Sequence, residues 1–327
     1  MKTRELGNNL TVPAIGFGAM VLSPGVYGDI DDTRAETALK AALDAGAVHI
    51  DTSDAYGVNG HNERLVGRAI KGRRAEVVVA TKFGVAVPEG EASRSQPVGY
   101  AFGELRVNAE PKLVRRYAER SLRNLDTDVI DLYYAHYVDP GVPIEETAGA
   151  MAELVEAGLV RHLGLSNVTA DELRRAHAVH PVAAVQNEWS MWRPVDPDLL
   201  KAARELGVGI VAWSPLGNGF LTGTVQRLGE GDFRHNAPRF SADNLASNND
   251  RYAPIRDLAT RLGITPAQLA LAWLLHQYEH VVAIPGSRTP AHIEENLAAA
   301  DLVLHPDTLA RVDEALAGFE VTGGTLL

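Results

Sequence analysis

The stretch VVVATK, residues 77–82, joins an apolar strand to a charged residue at its end. Val77 to Ala80 form a run of the kind that a parallel sheet buries on both faces. Thr81 and Lys82 follow directly, although lysine is among the residues least often found fully buried. A lysine in this position needs a carboxylate partner at the same end of the sheet, and another strand of the fold has to supply it.

Seven other short apolar runs follow the same plan, each leading into a loop and then a stretch with helical spacing. The runs are AIGFGAM (14–20), AVHID (47–51), VIDLYYAH (129–136), VRHLGLSN (160–167), VAAVQNE (182–188), VGIVAWS (208–214) and VVAIPGS (281–287). Helix ends are marked by Gly46, Gly158 and Gly207, and a helix start by Thr265 before Pro266. Strand–helix alternation with short connections predicts parallel strands and right-handed crossovers.

Eight such units predict an α/β fold, a (β/α)₈ TIM barrel that spans residues 1–327 as one domain with extra C-terminal helices. The turn residues 7–9 predict a β-hairpin before the barrel. A doubly wound sheet is the alternative, but its first glycine-rich turn opens a helix, whereas GFGAMVLSPG (16–25) leads into a long loop. Two loops, at about 84–110 and 215–250, are long enough to be functional or mobile.

Composition excludes several classes of function. The net charge of −11 argues against general binding of nucleic acid or anionic membrane, which requires a basic surface. The chain has no cysteine, which excludes disulfides, thiolate metal sites and a cysteine nucleophile. It contains no apolar run of 18 residues, and MKTRELGNNL at the start lacks the apolar region of a signal peptide. We therefore expect a cytoplasmic protein without a membrane or nucleic-acid partner.

Chemistry in a parallel barrel is found on the face formed by the loops after the strands. Polar residues that end the eight runs should converge there. They are Asp51, Lys82, His136, Ser166, Asn167, Gln186, Glu188, Trp213, Ser214, Ser287 and Arg288.

Four residues of this face predict a proton donor for a carbonyl oxygen. Tyr56 follows Asp51 by five residues, and a nearby ammonium such as Lys82 would lower the pKa of a phenol from about 10. Asp51 can hold the lysine, and His136 can orient the oxygen or pass a proton. Each residue alone also has a structural interpretation, as a turn former, a packed ring or a core histidine. Their coincidence at three successive strand ends favours the catalytic interpretation.

Eight motifs follow one another in order along the chain. They are GFGAM, DTSDAYG, NERLVGRAIKGRR, VVVATKFG, IDLYYAHYVDPGVPIEETAGAMAELVEAGLVRHLGLSN, AVQNEWS, WSPLGNGFLTG and IPGSRTPAHIEENLAA. With these motifs the sequence resembles the aldo-keto reductase superfamily, in its bacterial and plant branch, from about residue 4 to 315. The resemblance implies a barrel that binds NADPH (NADP+) across its mouth and reduces a small-molecule aldehyde or ketone. It also implies that Asp51, Tyr56, Lys82 and His136 are the catalytic residues, with Tyr56 as general acid.

The resemblance further implies a set of cofactor contacts. The nicotinamide carboxamide would bind Ser166, Asn167 and Gln186. The nicotinamide ring would stack on Trp213, where the family usually has tyrosine. The pyrophosphate would bind Ser214, Pro215, Leu216, Gly217 and Gly219. The adenosine end would bind Ser287, Arg288, His292, Glu295 and Asn296.

Two departures affect the pocket for the 2′-phosphate. Better-studied branches often have lysine where Gly286 stands and arginine where His292 stands, so this pocket is less cationic. Arg288 still favours NADPH over NADH, because a guanidinium matches phosphate with two parallel donors.

Two other functions remain as alternatives. One is an NADPH-binding regulatory or sensor barrel with slow turnover, although the chain has no long N-terminal extension for tethering. The other is a metal-dependent hydrolase or lyase using Asp51, His136 and Glu188, which the charge of Lys82 between the ligands disfavours.

Overall fold

The computed structural model describes residues 2–98 and 105–325, which form twelve strands and ten α-helices in these ranges. The strands are β1 (Thr3–Glu5), β2 (Thr11–Pro13), β3 (Phe17–Gly18), β4 (His49–Asp51), β5 (Val78–Phe83), β6 (Gln96–Val98), β7 (Leu105–Val107), β8 (Ile130–Ala135), β9 (Val160–Ser166), β10 (Val182–Glu188), β11 (Gly209–Trp213) and β12 (Val281–Ala283). The helices are α1 (Asp32–Asp44), α2 (His61–Ile70), α3 (Pro111–Leu125), α4 (Ile144–Glu156), α5 (Ala170–Val179), α6 (Pro197–Leu206), α7 (Ala242–Leu262), α8 (Pro266–Leu275), α9 (Pro290–Ala298) and α10 (Pro306–Ala317).

Eight of the strands form one parallel sheet in the order β3-β4-β5-β8-β9-β10-β11-β12. A parallel bridge between Ile15 and Ala283 joins the two outer strands, and the amide of Gly16 donates to the Ala283 carbonyl at 2.8 Å. The sheet therefore curls until its edges meet. Each of the eight strands corresponds to one predicted apolar run, and the predicted (β/α)₈ barrel is confirmed.

The predicted N-terminal hairpin forms from β1 and β2, which pair antiparallel. It lies across the end of the barrel opposite the predicted site. Leu6, Leu10 and Val12 of the hairpin pack into the same buried cluster as the inward-facing residues of the strands. At Gly7 the backbone touches the barrel, and a Cβ there would lie 2.8 Å from the Ala183 carbonyl oxygen. The hairpin thus closes the lower end of the barrel and leaves the upper end as its mouth.

Helix signals in the sequence are matched by caps in the structure. Thr265 and Gln268 form a capping box at the start of α8, in which each side chain bonds the other's backbone amide. Gly46 and Gly207 have positive φ just after α1 and α6, the conformation that ends helices. Helix α7 before β12 and helix α10 at the end are the extra C-terminal helices that the sequence predicts.

The two long loops contain more structure than their sequences indicate. In the first, β6 and β7 pair as an antiparallel hairpin, and residues 99–104 lie outside the described part. In the second, α7 begins as early as Ala242. Asn248 and Asn249 lie on the buried side of α7, and Asn248 donates to the Thr322 carbonyl at 3.0 Å. Polar residues on the inner face hide the apolar periodicity by which helices are recognised.

Within the described residues, no single helix is long and apolar enough to cross a membrane. The pair α7 and α8 passes that test by length and composition only when taken together, and the two helices meet at a 93° bend.

Candidate active site

The ends of β4 and β5 bring the first three predicted residues together at the mouth. The Lys82 ammonium donates to Asp51 Oδ1 at 2.5 Å, to the Thr52 carbonyl at 2.9 Å and to the Tyr56 hydroxyl at 3.2 Å. Lys82 is only 1% exposed and Asp51 only 2%. All three protons of the ammonium have acceptors, so the geometry explains how a lysine can end a core strand.

Burial sets the electrostatics of this lysine. Desolvation lowers the pKa of Lys82, while the Coulomb attraction and hydrogen bond of Asp51 act in the opposite direction. The second oxygen of Asp51 accepts from Gln186 Nε2 at 2.7 Å. Asp51 is therefore fixed from both sides, and it holds the ammonium directly beside the phenol.

The structure reverses the predicted direction for Tyr56. Burial raises the pKa of Tyr56 well above its usual value of 10, and the charges of Asp51 and Asp54 raise it further. The ammonium of Lys82 is itself paired with Asp51 at 2.5 Å, and the effect of burial outweighs its attraction for a phenolate. The site consequently keeps the phenol protonated, which is the form that a proton donor requires.

His136 follows β8 and joins the same cluster. Its ring meets that of Tyr56 edge to face, with centroids 5.9 Å apart. Burial lowers the pKa of His136 well below its usual value, and Lys82 adds to the decrease. The ring is therefore neutral at physiological pH and carries one N–H. Its Nδ1 lies 3.2 Å from Ser53 Oγ.

A second charged cluster lies behind this centre, and sequence reasoning missed it. Asp54 is buried and pairs with Arg120 of α3 at 2.8 Å. Burial and the nearby charge of Glu63 raise the pKa of Asp54 to about 7. Glu63 itself accepts from Thr81 and Asn124, each at 2.8 Å. The sequence signal for this cluster was Asp54, the second acid in the motif DTSDAYG. Its neighbours Glu63 and Arg120 lie on α2 and α3, so the motif alone does not show them.

The residues predicted to hold the nicotinamide carboxamide form a continuous network at the ends of β9, β10 and β11. Ser166 donates to the Gln186 carbonyl at 2.9 Å. Asn167 donates from Nδ2 to Ser166 Oγ and to the His136 carbonyl, both at 3.1 Å, and accepts from Trp213 Nε1 at 3.1 Å. Together with the bond from Gln186 to Asp51, this network links the predicted cofactor residues to the catalytic cluster.

Trp213 is suited to stack against a flat ring, and the turn that follows it has an unusual backbone conformation. The indole is half-buried, and its N–H is anchored on Asn167, so a face is left for stacking. Ser214 has a φ of 47°, a left-handed conformation that is uncommon for serine, and its hydroxyl donates to Asn218 at 2.7 Å.

The other predicted pyrophosphate residues shape this turn. Pro215 and Leu216 are buried beneath it. Gly217 and Gly219 have φ values of 56° and 89°, and their amides donate to the carbonyls of Ser214 and Leu216.

Arg288 follows β12 and lies against the loop after β3. Its Nε donates to the Val21 carbonyl at 2.7 Å, and its terminal nitrogens donate to the Tyr27 and Gly28 carbonyls at 3.1 Å. Ser287 forms a local bond with the Thr289 amide at 3.2 Å. The predicted phosphate ligand thus holds a loop, and its donors would have to be shared or exchanged to bind an anion.

The remaining adenosine residues lie on α9. His292 is exposed, whereas Glu295 accepts from Thr265 at 2.6 Å and Asn296 is buried. A Cβ at Gly286 would lie 2.5 Å from the Gly18 carbonyl oxygen. Close approach to the β3 loop therefore explains why no longer side chain occupies this position.

Among the residues that the structure describes, no group of three or more histidine, aspartate or glutamate side chains is placed to hold a metal ion. Asp51 is instead bound by an ammonium and an amide.

Comparison with known proteins agrees with this geometry. The family model "Aldo/keto reductase family" matches residues 14–317. The chain belongs to the aldo/keto reductase family. It is 42% identical to probable aldo-keto reductase 1 of Glycine max, over 96% of this chain and 88% of that protein. It is also 42% identical to aldo-keto reductase yakc of Schizosaccharomyces pombe, whose name includes NADP(+), over 98% and 93%.

Solved structures of aldo/keto reductases share the fold. Glycerol dehydrogenase AKR11B4 from Gluconobacter oxydans superposes with a TM-score of 0.81 at 27% identity, covering 97% of this chain and 95% of that one. An aldo/keto reductase from Klebsiella pneumoniae, solved with NADP and acetate, gives a TM-score of 0.71 at 30% identity, covering 96% and 94%. Membership in this family confirms the resemblance seen in the sequence and identifies the chain as an oxidoreductase.

Proposed function

We propose that this oxidoreductase reduces an aldehyde or ketone to an alcohol with NADPH, and that Tyr56 is the general acid. The observation that carries the proposal is the contact of the buried Lys82 ammonium with both Asp51 and the Tyr56 hydroxyl. NADPH is the cofactor because two relatives carry NADP in their names or structures and because the residues along the mouth suit it.

The cofactor would be held by side chains in three groups. Gln186 and Asn167 supply amides at the inner end, and Trp213 supplies a stacking face. Ser214 and the turn after it lie next along the mouth, and Arg288 lies at the outer end. Once bound there, NADPH would supply the hydride that the carbonyl carbon needs.

The protein residues supply the proton and the orientation. The Tyr56 O–H donates its proton to the carbonyl oxygen as that oxygen gains negative charge. Lys82 then lies 3.2 Å from the phenolate oxygen that remains, and Asp51 keeps the ammonium in place. Neutral His136 orients the carbonyl oxygen with a hydrogen bond. An aldehyde or ketone, one hydride and one proton together give the alcohol.

The same features support three wider proposals. We propose that residues 1–327 act as one catalytic domain, since the strands that carry the site close into one barrel. We also propose a small-molecule carbonyl as the partner, because the cluster at the mouth is suited to protonate a carbonyl oxygen. We propose a cytoplasmic location for this chain, which has a net charge of −11 and no cysteine.

A substrate panel tests the function. Consumption of NADPH is followed with aldehydes and ketones of different size and charge, using the wild-type protein and Tyr56→Phe. We expect turnover by the wild type and a loss of about 10²- to 10⁴-fold in the variant, the usual range for removal of a general acid. Tyr278→Phe is the matched control, because Tyr278 donates to the Val208 carbonyl at the opposite end of the barrel.

Equal rates for Tyr56→Phe and the wild type would rule out the acid role. Tight NADPH binding without turnover of any carbonyl would favour the regulatory or sensor alternative.

A further inference from the structure

Ser53 lies between the catalytic histidine and a buried acid. It is completely buried in the loop after β4. Its Oγ is 3.2 Å from His136 Nδ1 and 3.4 Å from Asp54 Oδ1, and it accepts from the Ala55 amide at 3.2 Å. A hydroxyl has one proton to donate, so it can serve either His136 or Asp54 but not both at once.

The acceptor to which Ser53 donates determines which nitrogen of His136 carries the ring proton. If Ser53 donates to Nδ1, that nitrogen is an acceptor and the ring proton is on Nε2. If Ser53 donates to Asp54 instead, Nδ1 carries the proton and donates to Oγ. In the second case Nε2 is an acceptor and cannot donate to a carbonyl oxygen.

Three observations favour the first arrangement. The distance from Oγ to Nδ1 is shorter than the distance to Asp54 Oδ1. Asp54 already accepts a charged hydrogen bond from Arg120 on its other oxygen. Burial and Glu63 also raise the pKa of Asp54 to about 7, so a fraction of it is protonated at neutral pH and competes less strongly for the hydroxyl.

The other ring nitrogen of His136, Nε2, is the one left for a ligand. His136 is 7% exposed, and Nε2 has no hydrogen-bond partner among the described residues, whereas Nδ1 has Ser53. The edge-to-face contact places the ring beside Tyr56. An N–H on Nε2 would therefore face the region next to the proton donor.

We propose that Ser53 is a positioning residue that fixes the Nε2–H tautomer of His136 through a hydrogen bond to Nδ1. The tautomer in turn gives His136 a donor for the carbonyl oxygen of the substrate, a role that rests on the proposed function. The hydrogen bond itself does not depend on that function and can be measured without cofactor or substrate.

The test is nitrogen NMR of the full chain labelled with ¹⁵N-histidine. The His136 signals are assigned by their loss in His136→Asn, since the chain has eleven histidines. We expect Nε2 to carry the proton and Nδ1 to show the frequency of a hydrogen-bonded acceptor. In Ser53→Ala the Nδ1 frequency should move to that of an acceptor without a bond, and Ser53→Thr should restore it.

Kinetics provide the second measurement. Ser53→Ala should lower kcat roughly tenfold, the effect expected from loss of one ordinary hydrogen bond, with NADPH affinity unchanged. Ser53→Thr should recover most of the rate. Ser121→Ala is the matched control, because Ser121 is also fully buried but its hydroxyl has no partner among the described residues. NADPH binding and a thermal melt show that each variant is folded.

A wild-type spectrum with the proton on Nδ1 would overturn the proposal, and so would identical Nδ1 frequencies in the wild type and Ser53→Ala. If no carbonyl is reduced but the tautomer behaves as expected, the proposed function fails while the role of Ser53 in fixing the tautomer stands.

Discussion

The two halves of the barrel mouth differ in how their polar groups are used. In the catalytic half, Lys82 already contacts both Asp51 and Tyr56, at 2.5 and 3.2 Å. In the cofactor half, polar side chains are bound to other parts of the protein. Arg288 holds the loop after β3, and Glu295 holds the start of α8.

This difference shows which residues are ordered by folding and which are ordered by cofactor binding. The catalytic residues are buried, and their order is maintained by the fold, so little rearrangement is needed before the reaction. The cofactor residues must exchange internal partners for the ligand, so part of the binding free energy is used in that exchange. We expect substitutions in the catalytic half to change rate and stability, and substitutions in the cofactor half to change mainly affinity.

The largest expected effect is in Lys82→Met. Removal of the ammonium leaves Asp51 as a buried charge without its cation, which should cost about 3 kcal/mol of unfolding free energy. It also removes the charge beside the phenolate, so kcat/KM should fall about 10²- to 10³-fold. Urea denaturation and the NADPH assay measure the two losses.

Lys40→Met is the control for this change. Lys40 pairs with Glu36 on the surface at 2.7 Å, where an ion pair contributes less than about 1 kcal/mol. Equal losses of unfolding free energy in the two variants would show that the buried Lys82–Asp51 pair contributes no more than a surface pair. That result would contradict the contrast between the two halves.

A second prediction concerns pH and Asp54. Its pKa is raised to about 7 in the folded protein, so the folded state binds a proton that the unfolded state releases near pH 4. The wild type should therefore lose stability as pH rises from about 4 to 7. Asp54→Asn should remove this loss, and its stability relative to the wild type should be about 2 to 3 kcal/mol greater at pH 8 than at pH 5.

Urea denaturation at the two pH values measures this difference. Asp44→Asn, which makes the same substitution at an exposed carboxylate paired with Arg73, is the matched control. If the difference in unfolding free energy between Asp54→Asn and the wild type were the same at all pH values, the fold would not raise the pKa of Asp54.

The smallest of these effects is expected in the cofactor half. Arg288→Gln should weaken NADPH binding about tenfold, as expected for loss of a charged hydrogen bond, and should weaken NADH binding less. It should also free the loop at residues 21–29, which limited proteolysis would detect. Arg311→Gln on the exposed side of α10 is the control. Equal losses for both cofactors would assign Arg288 to the loop alone.

Much of this organisation could be predicted from the sequence. Each apolar run became a strand because its residues face the core on both sides, and the polar residue at its end then had to face the mouth. The pairing of Lys82 with Asp51 followed from the cost of burying a charge alone. These inferences depend on local pattern and on the closure of one parallel sheet.

The remaining features depend on side chains that meet across the fold. Arg120 reaches Asp54 from α3, and Arg288 reaches Val21 from the loop after β12, over distances in the sequence that no motif spans. The pKa of Tyr56 was predicted in the wrong direction because the sequence shows that Lys82 is near, but not that the phenol is fully buried and faces the carboxylates of Asp51 and Asp54. Ser53 was overlooked because serine is common in turns and only its distance to His136 distinguishes it.

The central claim is that the catalytic half is a preassembled proton donor with Tyr56 as its acid. Single-turnover reduction from the preformed NADPH complex tests it most directly, since binding and chemistry are then separated. We predict that Tyr56→Phe binds NADPH with wild-type affinity and that its rate of carbonyl reduction falls about 10²- to 10⁴-fold. A wild-type single-turnover rate in Tyr56→Phe would contradict the account.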